Sequence, residues 1–279
     1  MTALLAITSA VLYGSADFLG GLASRRESPF AVTAVSQAFG ALFLIGLVYA
    51  FGGNGPTTPD LLWGAVGGAA GALGIIALYS ALGSGPMSLV APVTASLAAA
   101  LPAAWDIVAR GVPAPLTLLG LALAFVAILV ISAPDPHARD DDRISARVLA
   151  LSIGAGTAFA AFFVVLSFTT PEAGMWPLVG ARMVSLPMLF ALTLVRDRAV
   201  RISREARVAT LGAGAIDMGA NAFVLAALQL GPLAVASVLS SLYPAATVLL
   251  AWSVLKERPD RRHKTGIVLA LIAVALTAA

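Results

Sequence analysis

Two stretches of this sequence are copies of one another, and the copies keep a constant register. SALGSGPMSLVAPVTASLAAALPAAWD in the first half is echoed by AALQLGPLAVASVLSSLYPAATVLLAW in the second. Gly85-Pro86 aligns with Gly231-Pro232 at an offset of 146 residues. Without a gap, that offset also pairs Pro113 with Pro259, Gly120 with Gly266, Arg110 with Lys256 and Tyr13 with Phe159. A period this long marks a duplicated domain rather than a solenoid of short units. The fold is therefore one that two similar halves build together.

Composition says what solvent surrounds those halves. Of 279 residues 59% are hydrophobic and only 11% charged, with a mean hydropathy of +0.95. A water-soluble chain carries about 25% charged residues, so most of this surface faces something other than water. A bilayer span needs about 20 apolar residues at roughly 1.5 Å each. Ten runs qualify: 3–22, 30–51, 61–82, 86–106, 114–133, 147–168, 175–195, 207–229, 233–254 and 264–279. The first has no basic leader, and its twin at 147–168 is internal, so it reads as a helix rather than a cleaved signal. The one sizeable polar stretch, PDPHARDDDRISA at 134–146, is a solvated connector between a first unit at 1–133 and a second at 147–279. These readings predict an all-α membrane protein of ten transmembrane helices in two five-helix units. Five is odd, so the second unit enters the bilayer from the opposite side. That inverted arrangement is the one secondary transporters use for alternating access around a central cavity.

The Lys and Arg residues are distributed unevenly. One side carries Arg25 and Arg26, the group from Arg139 to Arg147, the group from Arg196 to Arg207, and the group from Lys256 to Lys264. The other side carries Arg110 alone. The positive-inside bias puts the rich side in the cytoplasm and both termini outside it. Basic residues concentrated in a few loops point to membrane topology rather than to nucleic-acid binding. The absence of cysteine excludes disulfides and thiolate chemistry.

Three ionisable groups lie inside apolar runs: Asp17, Arg182 and Asp217. Each costs about 3 kcal/mol on insertion scales, so each needs a partner or water. Arg182 and Asp217 fall near mid-depth on consecutive antiparallel helices and can meet. The pair is either a packing device or a site for solute or proton. Asp17 lies closer to a helix end, where it reads as a solvated carboxylate or a proton-coupling group. Asn221 shares a face with Asp217 at i, i+4, and Gln37 and Gln229 add neutral polar groups. In the third run, Gly64/Gly68 and Gly67/Gly71 at four-residue spacing predict close helix packing. Pro92, Pro102 and Pro244 predict kinks in the fourth and ninth runs, and irregular membrane backbone survives only inside protein or beside a wet cavity. Trp63, Trp105, Trp176 and Trp252 sit near run ends, as interfacial aromatics do. No HExxH, GxSxG or phosphate-loop pattern occurs. No enzyme activity, metal, cofactor or nucleotide motor is expected.

LYGSADFLGGLASRR, LYSALGSGPMSLVAPVTA, the second-half copy quoted above and the ending ERPDRRHKTGIVLALIAVAL together resemble the drug/metabolite transporter superfamily, and within it the EamA-type ten-helix exporters. The resemblance covers essentially the whole chain as two EamA repeats. It implies a basket-like bundle whose cavity is lined mainly by the first, third, fourth, sixth, eighth and ninth helices. It further implies Tyr79, Ser88, Thr94, Asn221, Ser237, Ser240 and Tyr243 as solute-binding positions. The expected solute is an amino acid or a similar small amphiphilic metabolite, exported across a bacterial inner membrane by a monomer that binds no nucleic acid. The other readings are a drug, sugar or nucleotide-type transporter and a non-transporting membrane scaffold or sensor.

Overall fold

The computed structural model describes residues 1–85, 87–131, 145–255 and 261–278, so the expected linker at 134–146 lies outside the described residues but for its last two. In the first half, α1 spans Thr2–Ser24, α2 Pro29–Phe51, α3 Thr58–Ser84, α4 Met87–Arg110 and α5 Pro115–Ile131. In the second, α6 spans Ala146–Leu166, α7 Trp176–Asp197, α8 Arg204–Leu230, α9 Leu233–Ser240, α10 Tyr243–Leu255 and α11 Arg261–Ala278. By length and composition, α1, α2, α3, α6, α7 and α8 are each able to cross a membrane.

The duplication is visible at the helix ends. α3 and α8 have equal lengths, with Thr57 and Ser203 as their N-caps, 146 residues apart. Each cap's hydroxyl accepts the backbone N–H three residues on, from Asp60 and Ala206. Both helices stop at an extended glycine, Gly85 (φ −146°) and Gly231 (φ −163°), because the proline that follows each in sequence disfavours the helical conformation.

One prediction is corrected here. The ninth run is two helices, α9 and α10, with the chain turning at Ser241 and Leu242. The turn bonds are Ser241 N–H to the Ser237 carbonyl (3.0 Å) and Leu242 N–H to the Leu239 carbonyl (3.2 Å). Pro244 lacks an N–H and therefore sits where a helix start requires none. Pro102, by contrast, leaves α4 continuous.

Helices meet through small residues. A Cβ on Gly68 would run into the Ala181 backbone of α7, and one on its twin Gly214 into the Ser36 backbone of α2. Only glycine permits those approaches, which pack α3 on α7 and α8 on α2. Large apolar side chains such as Leu42, Ile45, Val66 and Met183 point outward, while Ser9, Ala34, Ser36 and Ala81 are buried. That distribution suits lipid, which gives no reason to hide a leucine.

Contacts also set helix directions. α1 and α8 run antiparallel: Thr2 lies at Gly231, Leu12 at Gly219 and Leu19 at Gly212. α3 and α7 run parallel, with Gly64 at Pro177 and Gly68 at Ala181. At one end of the bundle Ser28 donates to Asp197, and the Ser203 N–H donates to Glu27 (3.2 Å). This gathers the loops that carry Arg25, Arg26 and the Arg196–Arg207 group. At the opposite end buried Asp60 accepts the N–H (2.8 Å) and hydroxyl (3.1 Å) of Thr170. There too, Gln229 donates to the carbonyls of Thr170 (3.0 Å) and Gly174 (3.2 Å).

Candidate solute cavity

Where α1, α3, α6 and α8 come together they leave a cavity of about 60 Å³, completed by α2, α7 and single residues of α4 and α10. Its walls come in register twins: Tyr13 with Phe159, Asp17 with Phe163, Asp217 with Gly71, and Asn221 with Ile75, each pair 146 residues apart. In every pair the more polar member belongs to α1 or α8 and the apolar one to α6 or α3. Duplication placed equivalent positions on the same hollow, and side-chain divergence then made one wall polar and the other aromatic and aliphatic.

The polar wall is a connected network centred on Asp217. Its Oδ2 accepts from Gln37 Nε2 (2.9 Å) and Asn221 Nδ2 (3.0 Å), and Arg182 Nη2 pairs with it at 3.5 Å. Asn221 Nδ2 also reaches the Asp217 carbonyl (2.7 Å), and Tyr13 donates its hydroxyl to Asn221 Oδ1 (3.1 Å). α2, α7 and α8 thus converge on one carboxylate, and α1 joins the network through Tyr13 and Asn221. Such satisfaction is what lets a charge persist at this depth, since an unpaired one is expensive. Arg182 Nε is buried with no acceptor among the described residues.

Asp17, expected nearer to interfacial water, lines the cavity instead. It lies one turn beyond Tyr13, and i, i+4 places both on the face of α1 that looks inward. Of the positions the resemblance implied, Asn221 and Tyr243 line the cavity. Tyr243 also donates to the Ala91 carbonyl at 3.4 Å. Tyr79 is buried against Gly20 of α1. Thr94, Ser237 and Ser240 direct their hydroxyls to the backbone carbonyls of Ser152 (3.2 Å), Ala234 (3.3 Å) and Ala6 (3.3 Å). The Ser88 side chain lies outside the described residues.

Several groups escaped the sequence reading. Phe162 and Phe163 looked like ordinary members of an apolar run, although Phe159 was already marked as the twin of Tyr13. Asp106 was counted only as the end of a run. It is buried, accepts the Ala234 N–H at the start of α9 (2.9 Å) and pairs with Arg110 Nε (3.4 Å). The four-residue spacing from Asp106 to Arg110 was the available clue. Among the described residues no group of three or more His, Asp or Glu is placed to hold a metal ion.

A bundle of long apolar helices packed through glycines around a buried polar network defines a multi-pass membrane protein. The family assignment agrees: the chain belongs to the EamA-like transporter family, whose description matches it twice, at residues 1–133 and 146–279. A solved structure described only as "Crystal structure of protein" has the same fold. It superposes at a TM-score of 0.76 over 99% of this chain and 98% of its own, at 17% sequence identity. No curated protein matches the chain.

Proposed function

We propose that this protein is a secondary transporter of small amphiphilic metabolites, amino acids first, exporting them across a bacterial inner membrane by alternating access. The observation that carries this reading is the two-sided cavity. Asp17, Asp217 and Asn221 face a wall of Phe159, Phe163, Gly71 and Ile75, so a solute with one polar and one apolar end finds both halves matched.

Helix directions support inverted repeats. In a chain that crosses the membrane at each helix, α3 runs parallel to α1, yet its counterpart α8 runs antiparallel to α1. Opposed halves around one central site are the architecture in which rocking exposes that site to either side in turn. The six long apolar helices, together with α4, α5, the α9–α10 pair and α11, support a reading of ten spans. The cavity's 60 Å³ is far below the roughly 300–1,000 Å³ of small-molecule sites, so holding a metabolite there requires the helices to move apart. Gathering of the Arg-rich loops at one end supports cytoplasmic placement of that end, with both termini outside. The protein acts as a monomer.

The test is counterflow into liposomes containing the purified protein, with a panel of labelled amino acids. Saturable exchange that falls at least tenfold in Asn221→Ala is expected. No exchange of any amino acid would overturn the substrate assignment and move it to drugs or another metabolite class.

A further inference from the structure

The charges on the cavity wall do not balance. Asp217 and Arg182 neutralise one another at 3.5 Å. Asp17 opens onto the same space, and among the described residues it makes no hydrogen bond or ion pair. The other lining residues contribute no cation; they are the amides Gln37 and Asn221, the phenols Tyr13 and Tyr243, and apolar side chains. Ionised, Asp17 is a carboxylate that no cation of the cavity lining matches, so its charged form needs a cation from outside the protein. A carboxylate so placed is stabilised by whatever cation the solute brings. Phe159, Phe162 and Phe163 line the same cavity, and Phe163 is the register twin of Asp17 itself. An ammonium on one wall and a ring or alkyl body on the other fit this arrangement, and the ring faces add a favourable cation–π contribution.

We propose that Asp17 docks the protonated amino group of the solute, so that the cavity selects primary amines with an apolar or aromatic body. This rests on reading the cavity as the solute site and adds the charge rule that site imposes. Because Asp217 already answers Arg182, a carboxylate on the solute is not required. An amino acid's carboxylate would use the Arg182 guanidinium, which lines the cavity and whose Nε has no acceptor among the described residues. Amines and amino acids should both bind, and the corresponding anion should not.

Three probes share a phenyl ring on a short chain and differ in charge: phenethylamine, phenylalanine and 3-phenylpropionate. Their binding to the purified protein in detergent is read by thermal shift and by calorimetry. The expected result is binding of the first two and none of the third. Asp17→Asn should lose at least tenfold in phenethylamine affinity, and Asp17→Glu, which keeps the charge, should retain most of it. The proposal is overturned if 3-phenylpropionate binds as well as phenethylamine or if none of the three binds. It is equally overturned if Asp17→Asn binds phenethylamine like the parent. If Asp17→Asn does not fold, Asp17→Glu decides, because loss of amine binding in that folded variant overturns the proposal and retention supports it. Binding is measured without transport, so amine binding without counterflow would refute the transporter reading alone.

Discussion

Removing the Asp217 carboxylate should strand a guanidinium deep in the bundle. In Asp217→Ala, Arg182 loses its ion-pair partner among the described residues, and its side chain is only 13% exposed. The same change leaves Gln37 Nε2 and Asn221 Nδ2 without the oxygen they share. Breaking a buried pair by deleting one member costs about 3–5 kcal/mol. The orphaned Gln37 amide adds up to about 1–3 kcal/mol, less where water replaces the lost acceptor, while Asn221 Nδ2 keeps the backbone carbonyl of residue 217. Arg182 lines a cavity with room for water, so the lower end applies, and about 3 kcal/mol is expected. Arg182→Leu should cost less, because Asp217 keeps two amide donors. The double variant Arg182→Leu/Asp217→Ala should recover part of the loss, with a coupling energy of about 2 kcal/mol. Equilibrium unfolding in mixed detergent micelles, followed by tryptophan fluorescence, measures all three. Additive single effects, or an Asp217→Ala loss under about 1 kcal/mol, would show that the network does not hold the helices together.

Other outcomes follow from the packing. Gly68→Val and Gly214→Val push side chains into the Ala181 and Ser36 backbones and should each cost more than about 2 kcal/mol, as overpacking does; Gly46→Ala, which meets nothing within 4 Å, should leave the melting temperature unchanged or higher. Asp106→Ala removes the acceptor for the Ala234 N–H and should cost about 1 kcal/mol, as cap deletions do, with faster amide exchange at the start of α9, whereas slow exchange there would show that the contact is idle. The chain has no cysteine, so single cysteines report orientation cleanly. Val112→Cys should react with a membrane-impermeant maleimide in intact cells and Arg198→Cys only after permeabilisation, the reverse pattern inverting the assigned topology.

Much of this molecule was legible in the sequence because lipid imposes so few solutions on a backbone. Every N–H and C=O inside a bilayer must be paired within its own segment, so long apolar runs become helices and their ends can be read within a few residues. α3 and α8 even share caps at the duplicated register. The break between α9 and α10 was less legible, since a proline kinks a helix or starts one depending on which neighbours take up the freed carbonyls. Pro102 lies within a continuous α4, whereas Pro244 stands at the start of α10 in the equivalent run.

The sequence by itself determined that two like halves would build one helical bundle in a membrane and that Asp17, Arg182 and Asp217 would need partners. It also put Asn221 on the face of Asp217 through helical periodicity alone. Only the tertiary structure decided which groups meet. Gln37, Tyr13 and Arg182 reach Asp217 and Asn221 from three other helices, and the glycine contacts that bring those helices together act across more than a hundred residues of sequence. The same packing turned Tyr79, Thr94, Ser237 and Ser240 toward protein rather than solute space, and left Asp17 facing the cavity. Local periodicity fixes the face of a helix on which a residue lies, but what that face meets depends on the packing of every other helix.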